Sequence, residues 1–95
     1  MRIKFSPQRS SERFNVSVPT MDVVKVDDVY YDFRTLEEGH VATGMGHPVF
    51  AGPVTRENGE LVVTLLLQHG PNPPDHIFFP EDLIVNAPGP IVFPA

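Results

Sequence analysis

The run Leu61-Val62-Val63-Thr64-Leu65-Leu66-Leu67 is the longest apolar stretch in the chain, and Glu57-Asn58-Gly59 just before it is a turn signal. Together with Val49 to Thr55 this predicts a β-hairpin within His47 to Gly70. Its second arm places Leu61, Val63, Leu65 and Leu67 on one face and Val62, Thr64 and Leu66 on the other. Both faces then need cover, which is the condition of a central strand. A two-residue Asn58-Gly59 turn would set Glu57 opposite Glu60, an unfavourable like-charge pair. The sequence therefore favours a three-residue loop with Gly59 as a bulge, Arg56 opposite Glu60 and Val54 opposite Val62. Pro48 and Pro53 lack the N–H of an interior strand, so the first arm is expected at an edge or broken at Gly52-Pro53.

The remainder of the chain is cut into short pieces. Eleven prolines and seven glycines in 95 residues exclude long helices, and the length suits one domain, residues 1–95. Met1 to Phe5 alternates apolar and basic, predicting a short strand with Ile3 and Phe5 inward that Pro7 ends. Gln8 to Arg13 reads as a loop. Phe14 to Val18 alternates until Pro19 and predicts a second strand. Met21 to Phe33 resembles a hairpin turning at Asp27-Asp28. Arg34 to Gly39 suits a single helical turn closed by Gly39, and His40 to Gly46 a glycine-rich connection. His69 to Asp75 is a proline-dense link between sheets. Leu83-Ile84-Val85 and Pro90-Ile91-Val92-Phe93, joined by a turn at Asn86 to Gly89, are two short strands completing the core. The fold class is all-β: a small sandwich or partly open barrel of about six to eight short antiparallel strands, with at most one helical turn.

Several function classes are disfavoured. There is no cysteine, hence no disulfide, thiolate metal site or cysteine nucleophile. No run approaches the ~18 apolar residues of a membrane span. The formal charge is −5, with the basic residues scattered from Arg2 to Arg56, so nucleic-acid binding is not expected. Asp22, Asp27, Asp28 and Asp32 invite a cation or acid/base role, but Asp27-Asp28 is what a solvated turn requires. Gly44-Met45-Gly46 lacks the Walker lysine. Ser6, Ser10, Ser11 and Ser17 lack a nucleophile elbow. His69, Asp75 and His76 could supply a small metal or hydrolytic site, and His40 and His47 flank a glycine loop. Neither pair has the spacing of a compact ligand motif. No metal, cofactor or catalytic residue is expected.

Ala51-Gly52-Pro53-Val54-Thr55-Arg56, then Gly59 to Pro73, with Phe79-Pro80 and Gly89-Pro90-Ile91-Val92-Phe93-Pro94, resembles small uncharacterised proteins encoded among the tail genes of tailed phages and prophages. The similarity extends weakly over Ile3 to Pro7 and Val24 to Phe33. The chain departs from that set at Asp27-Asp28, where the set tends to have a glycine-containing turn, and at Gln68, where it tends to have proline. Its shared motifs are scaffold residues, so the resemblance carries no functional residue. It implies a structural or assembly-accessory protein, not an enzyme, that contacts phage tail or other virion-assembly proteins. Its compartment would be the host cytoplasm or the virion. Short strands leave edges, and Val23 to Tyr31, with Tyr30 and Tyr31 as aromatic anchors, is the candidate binding surface.

Overall fold

The Asn58-Gly59 pair makes the turn that sets the central hairpin. Both residues have positive φ, 53° and 78°, the two-residue geometry that matches the twist of antiparallel strands. The computed structural model describes residues 1–9, 14–69, 77 and 79–93. In it the strands β6, Val54–Glu57, and β7, Glu60–His69, pair with Glu57 opposite Glu60, Arg56 opposite Leu61 and Thr55 opposite Val62. This corrects the expected three-residue loop. The like charges are tolerated because each carboxylate has its own partner. Glu60 Oε1 accepts from Arg2 Nε at 2.9 Å, and Glu57 Oε2 accepts from Thr55 Oγ1 at 3.0 Å.

Strand β7 is central, as its two apolar faces require. Leu61, Val63, Leu65 and Leu67 are buried on one face, and Val62 and Leu66 on the other. On one side it pairs with β6. Farther along, Phe50 bridges Leu65 after an interruption at Gly52-Pro53, the break foreseen for the first arm. On its other side lies β1, Arg2–Arg9, with Ile3, Phe5 and Pro7 facing Val63, Leu65 and Leu67. This ladder is parallel, whereas the other ladders are antiparallel. Pro7 does not end β1. The described outer neighbour of β1 pairs only with Arg2 and Ile3, so beyond Ile3 one side of the strand tolerates a residue without an N–H.

The second sheet grows from the alternating segment that follows. Strands β2, Val16–Thr20, β3, Val23–Val26, and β4, Val29–Asp32, form consecutive hairpins. The turn at Asp27-Asp28 is where the sequence places it, with Asp27 at φ 53°. Pro19 lies inside β2, where a register shift between Ser17 and Thr20 accommodates it. Two-residue strands complete both sheets: β5, Val41–Ala42, β8, Leu83–Ile84, and β9, Gly89–Pro90. The orders are β5-β6-β7-β1-β8 and β4-β3-β2-β9. These short pairings bring the strands to nine among the described residues, more than expected, because two residues are too few to show a period. No helical turn forms at Arg34 to Gly39. The segment makes two tight turns, with Leu36 N–H donating to Phe33 O at 3.1 Å and His40 N–H to Glu37 O at 3.0 Å. No helix among the described residues is long and apolar enough to cross a membrane.

The layers meet over one apolar core drawn from both sheets: Ile3, Val49, Val54, Leu61, Val63 and Leu65 against Val16, Val18, Val24, Val26 and Phe33. The protein is thus a small all-β sandwich. The two later strands form only in part, since β8 ends at Ile84 and β9 is Gly89–Pro90 in place of the expected Pro90 to Phe93, but the residues around them join both layers. Val85 N–H donates to Met1 O, Ile91 N–H to Val16 O, and the Phe93 ring meets Phe5 edge-on at 5.7 Å. Arg56 crosses between the sheets. Its guanidinium donates to Leu36 O at 2.6 Å, Phe33 O at 3.1 Å and Gly59 O at 3.3 Å.

Candidate functional site

Three of the four aspartates of the Met21 to Phe33 region have separate tasks, and Asp28 lies in the β3–β4 turn. Asp22 sits in the β2–β3 turn at φ 64° beside Arg56. Asp27 Oδ1 accepts from Asn15 N–H at 3.2 Å, closing the end of the hairpin against β2. Asp32 holds Arg34 through both side-chain oxygens, at 2.7 to 3.2 Å, and accepts from Arg34 N–H at 3.0 Å. Those bonds keep the Asp32 carboxyl below the usual carboxylate range and raise the Arg34 guanidinium in turn. The carboxylates are spread among turn closure and local ion pairs, and no shared cation cage is built from them.

The histidines are likewise separated. His47 Nδ1 accepts from Val49 N–H at 3.1 Å, which leaves the proton of the neutral ring on Nε2, 3.6 Å from Asp27 Oδ2. The Phe14 ring meets it edge-on at 4.9 Å. His47 therefore pins the loop before Val49 to the β3–β4 turn. His40 is exposed in a turn, and His69 ends β7 opposite Arg9. Asp75 and His76 lie outside the described residues, as do Ser10 and Ser11. Among the described residues no group of three or more histidines and carboxylates is placed to hold a metal ion. Ser6 pairs with Leu66 and Ser17 with Lys25, each within a ladder.

A polar groove of about 460 Å³ crosses the outer face of the first sheet, lined by Arg2, Lys4, Glu57, Asn58, Glu60 and Asp82 among others. Arg2 already binds both Glu60 and Asp82, the latter at 3.1 Å, and these bonds raise its affinity for its proton. Its strongest charges, Arg2, Glu60 and Asp82, are thus paired with one another.

Among the terminal strands of the two sheets the longest is β4, and its outer edge has no described partner. In an antiparallel ladder, alternate residues direct their main chain toward the neighbour. Phe33 N–H donates to Asp22 O at 2.9 Å, and Val26 pairs with Val29 across the turn. Positions 29, 31 and 33 therefore bond to β3, and the N–H and C=O of Tyr30 and Asp32 face outward. Alternation also separates the two candidate tyrosines. Tyr31 turns toward the interior and packs edge-on against Phe50 at 4.9 Å. Tyr30 is 61 % exposed, with Lys25 Nζ 5.4 Å from its ring centroid, and Val29 is 51 % exposed. Of the two anchors proposed from sequence, Tyr30 is on the surface and Tyr31 is largely a packing residue. Val29 and the Lys25–Tyr30 stack were missed, although strand alternation places Lys25 and Tyr30 on one face.

Comparison with protein-family models, with curated proteins and with solved structures finds no match to this chain.

Proposed function

We propose that the protein is a structural or assembly-accessory component of a tailed-phage or prophage tail region, acting by protein–protein contact through the β4 edge. The observation that supports contact over chemistry is that edge. Strand β4 offers outward main-chain groups at Tyr30 and Asp32 beside exposed Val29 and Tyr30, while Asp22, Asp27, Asp32 and His47 are engaged in turns and ion pairs. An extended partner segment adding to such an edge gains affinity from main-chain bonds and specificity from the side chains that alternate along it. The tail setting rests on the resemblance carried by Ala51 to Arg56, Gly59 to Pro73 and the later proline motifs.

Co-expression with the proteins encoded beside it, followed by affinity capture, tests the proposal. The expected result is stoichiometric capture of an identified tail component, weakened at least about tenfold by Tyr30→Ala. Failure of every neighbouring tail protein to bind, together with turnover of a small molecule by the purified domain, would replace contact with catalysis.

A further inference from the structure

We infer that the β4 edge is self-complementary and that its first occupant is a second copy of this chain, paired antiparallel about a two-fold axis at Tyr31. The inference rests on the contact reading of β4 given above and names the partner of that edge. A tail component's strand would then reach the edge by displacing the second copy.

The argument begins with the sheet edges. The outer strands β5, β8 and β9 each have two residues, and β9 contains Pro90. Strand β4 has four residues and no proline, so it is the longest described outer strand, and the side of β1 left open beyond Ile3 is guarded by Lys4, Pro7 and Arg9 where β4 has no such block. A two-fold axis is the commonest way for identical surfaces to meet.

Parity and charge then select the register. Hydrogen-bonded partners across the new edge must come from Tyr30 and Asp32, whose main-chain groups face outward. With the axis at Tyr30, Asp32 of one copy lies opposite Asp28 of the other, a like-charge pair. With the axis at Asp32, that aspartate faces its own copy. With the axis at Tyr31, each Tyr30 lies opposite Asp32 of the other copy, and the same register brings Asp28 to the end of the contact where Arg34 of the other copy lies. Only this arrangement avoids opposed carboxylates and supplies opposite charges at both ends. On the inner face it sets Val29 opposite Phe33 of the second copy, covering the exposed valine, and brings the two Tyr31 side chains together.

A contact of this length belongs to the small, transient class of interface, so it is tested at roughly hundreds of micromolar protein. The chain has no cysteine, which makes single introduced cysteines direct reporters of register. Tyr30→Cys, Tyr31→Cys and Asp32→Cys are each oxidised at full length under the same conditions. Fastest self-cross-linking at position 31 is expected, because only the residue on the axis faces its own copy. A mixture of the exposed variants Tyr30→Cys and Asp32→Cys is expected to cross-link with each other in preference to themselves. Fastest self-cross-linking at 30 or 32, equal rates at all three, or no cross-linking overturns the inference.

Sedimentation provides the second measurement. The unmodified chain should show a concentration-dependent dimer that Tyr30→Pro abolishes, since the Tyr30 N–H points away from β3 and its loss spares the hairpin. A monomer at every concentration, or a dimer unaffected by Tyr30→Pro, refutes self-pairing. If a monomeric chain still captures a tail component, this inference fails and the proposed function stands. A dimer that captures none has the opposite meaning.

Discussion

The Arg56 Nη1 lies 3.1 Å from Oδ2 of Asp22, joining the β6 strand of one sheet to the β2–β3 turn of the other. The side chains are 14 % and 27 % exposed, so the pair is largely withdrawn from water. The same guanidinium satisfies three main-chain carbonyls, and those bonds help make the inter-sheet position specific to arginine. Removing one partner of such a pair leaves polar groups stranded. Arg56→Ala should cost about 3–5 kcal/mol in urea denaturation, and Arg56→Lys should recover less than half of that, because an ammonium cannot reproduce the planar fork. A loss below about 1 kcal/mol for Arg56→Ala would show that the sheets are held by the apolar core alone.

The core makes its own demand on β7. Leu65 is fully buried between the sheets, and Leu66 is buried on the opposite face. Leu65→Ala and Leu66→Ala should each cost about 2–5 kcal/mol, with Leu65 the larger. A nearly neutral Leu66→Ala in urea melts would mean that the outer face of β7 has no effective cover.

The tight turn gives a test with little packing in it. A Cβ at Gly59 would meet no atom within 4 Å, so Gly59→Ala probes backbone conformation at φ 78°. The expected loss is about 1–2 kcal/mol. Glu57→Lys should instead be neutral or stabilising by a few tenths of a kcal/mol, since it turns the Glu57–Glu60 pair into opposite charges. A destabilisation by Glu57→Lys comparable to that of Gly59→Ala would show that Glu57 matters through Thr55 and not through its opposed carboxylate.

The Asp32 carboxyl titrates below its ordinary value, first because of the Arg34 side chain and then because of the Arg34 N–H. A lowered value in the folded state means that folding favours the ionised form. Its contribution to stability is therefore present above the unfolded value and lost as pH falls through the folded one. Carbon-detected NMR titration of Asp32 should show the depressed midpoint, and Arg34→Ala should move it upward. An unchanged midpoint in that variant would assign the shift to something other than Arg34.

Much of the scaffold is legible locally. The apolar run at Leu61 to Leu67, the presence of a turn at Glu57-Asn58-Gly59 and the alternating arms around Asp27-Asp28 each act over a few residues, and each is found. What escapes notice is decided by residues distant in sequence. The hairpin register depends on Arg2 neutralising Glu60, and a local charge argument has no access to Arg2. The continuation of β1 through Pro7 depends on which side of that strand has a neighbour. Arg56 reads as an ordinary surface cation until the fold gathers Asp22, Phe33, Leu36 and Gly59 around it. At the candidate site the region is legible from its β-branched and aromatic residues. The division of labour between Tyr30 and Tyr31 requires the strand parity that the fold supplies.

The β1–β7 ladder also imposes an order in time. Arg2 pairs with Val62 and Arg9 with His69, so β1 waits for β7, more than fifty residues later, before it has its long partner. Until then Ile3 and Phe5 have no sheet to enter, and β7 once made closes its hairpin with β6 on one side. Joining ends so far apart in sequence is entropically costly and slow compared with closing a hairpin. The β2–β3–β4 hairpins and the β6–β7 hairpin can therefore form first, and threading β1 beside β7 is the step that joins the first strand to the sandwich. Any delay at that step leaves the most apolar strand of the protein with an open edge, which is when a nascent chain is most exposed to aggregation.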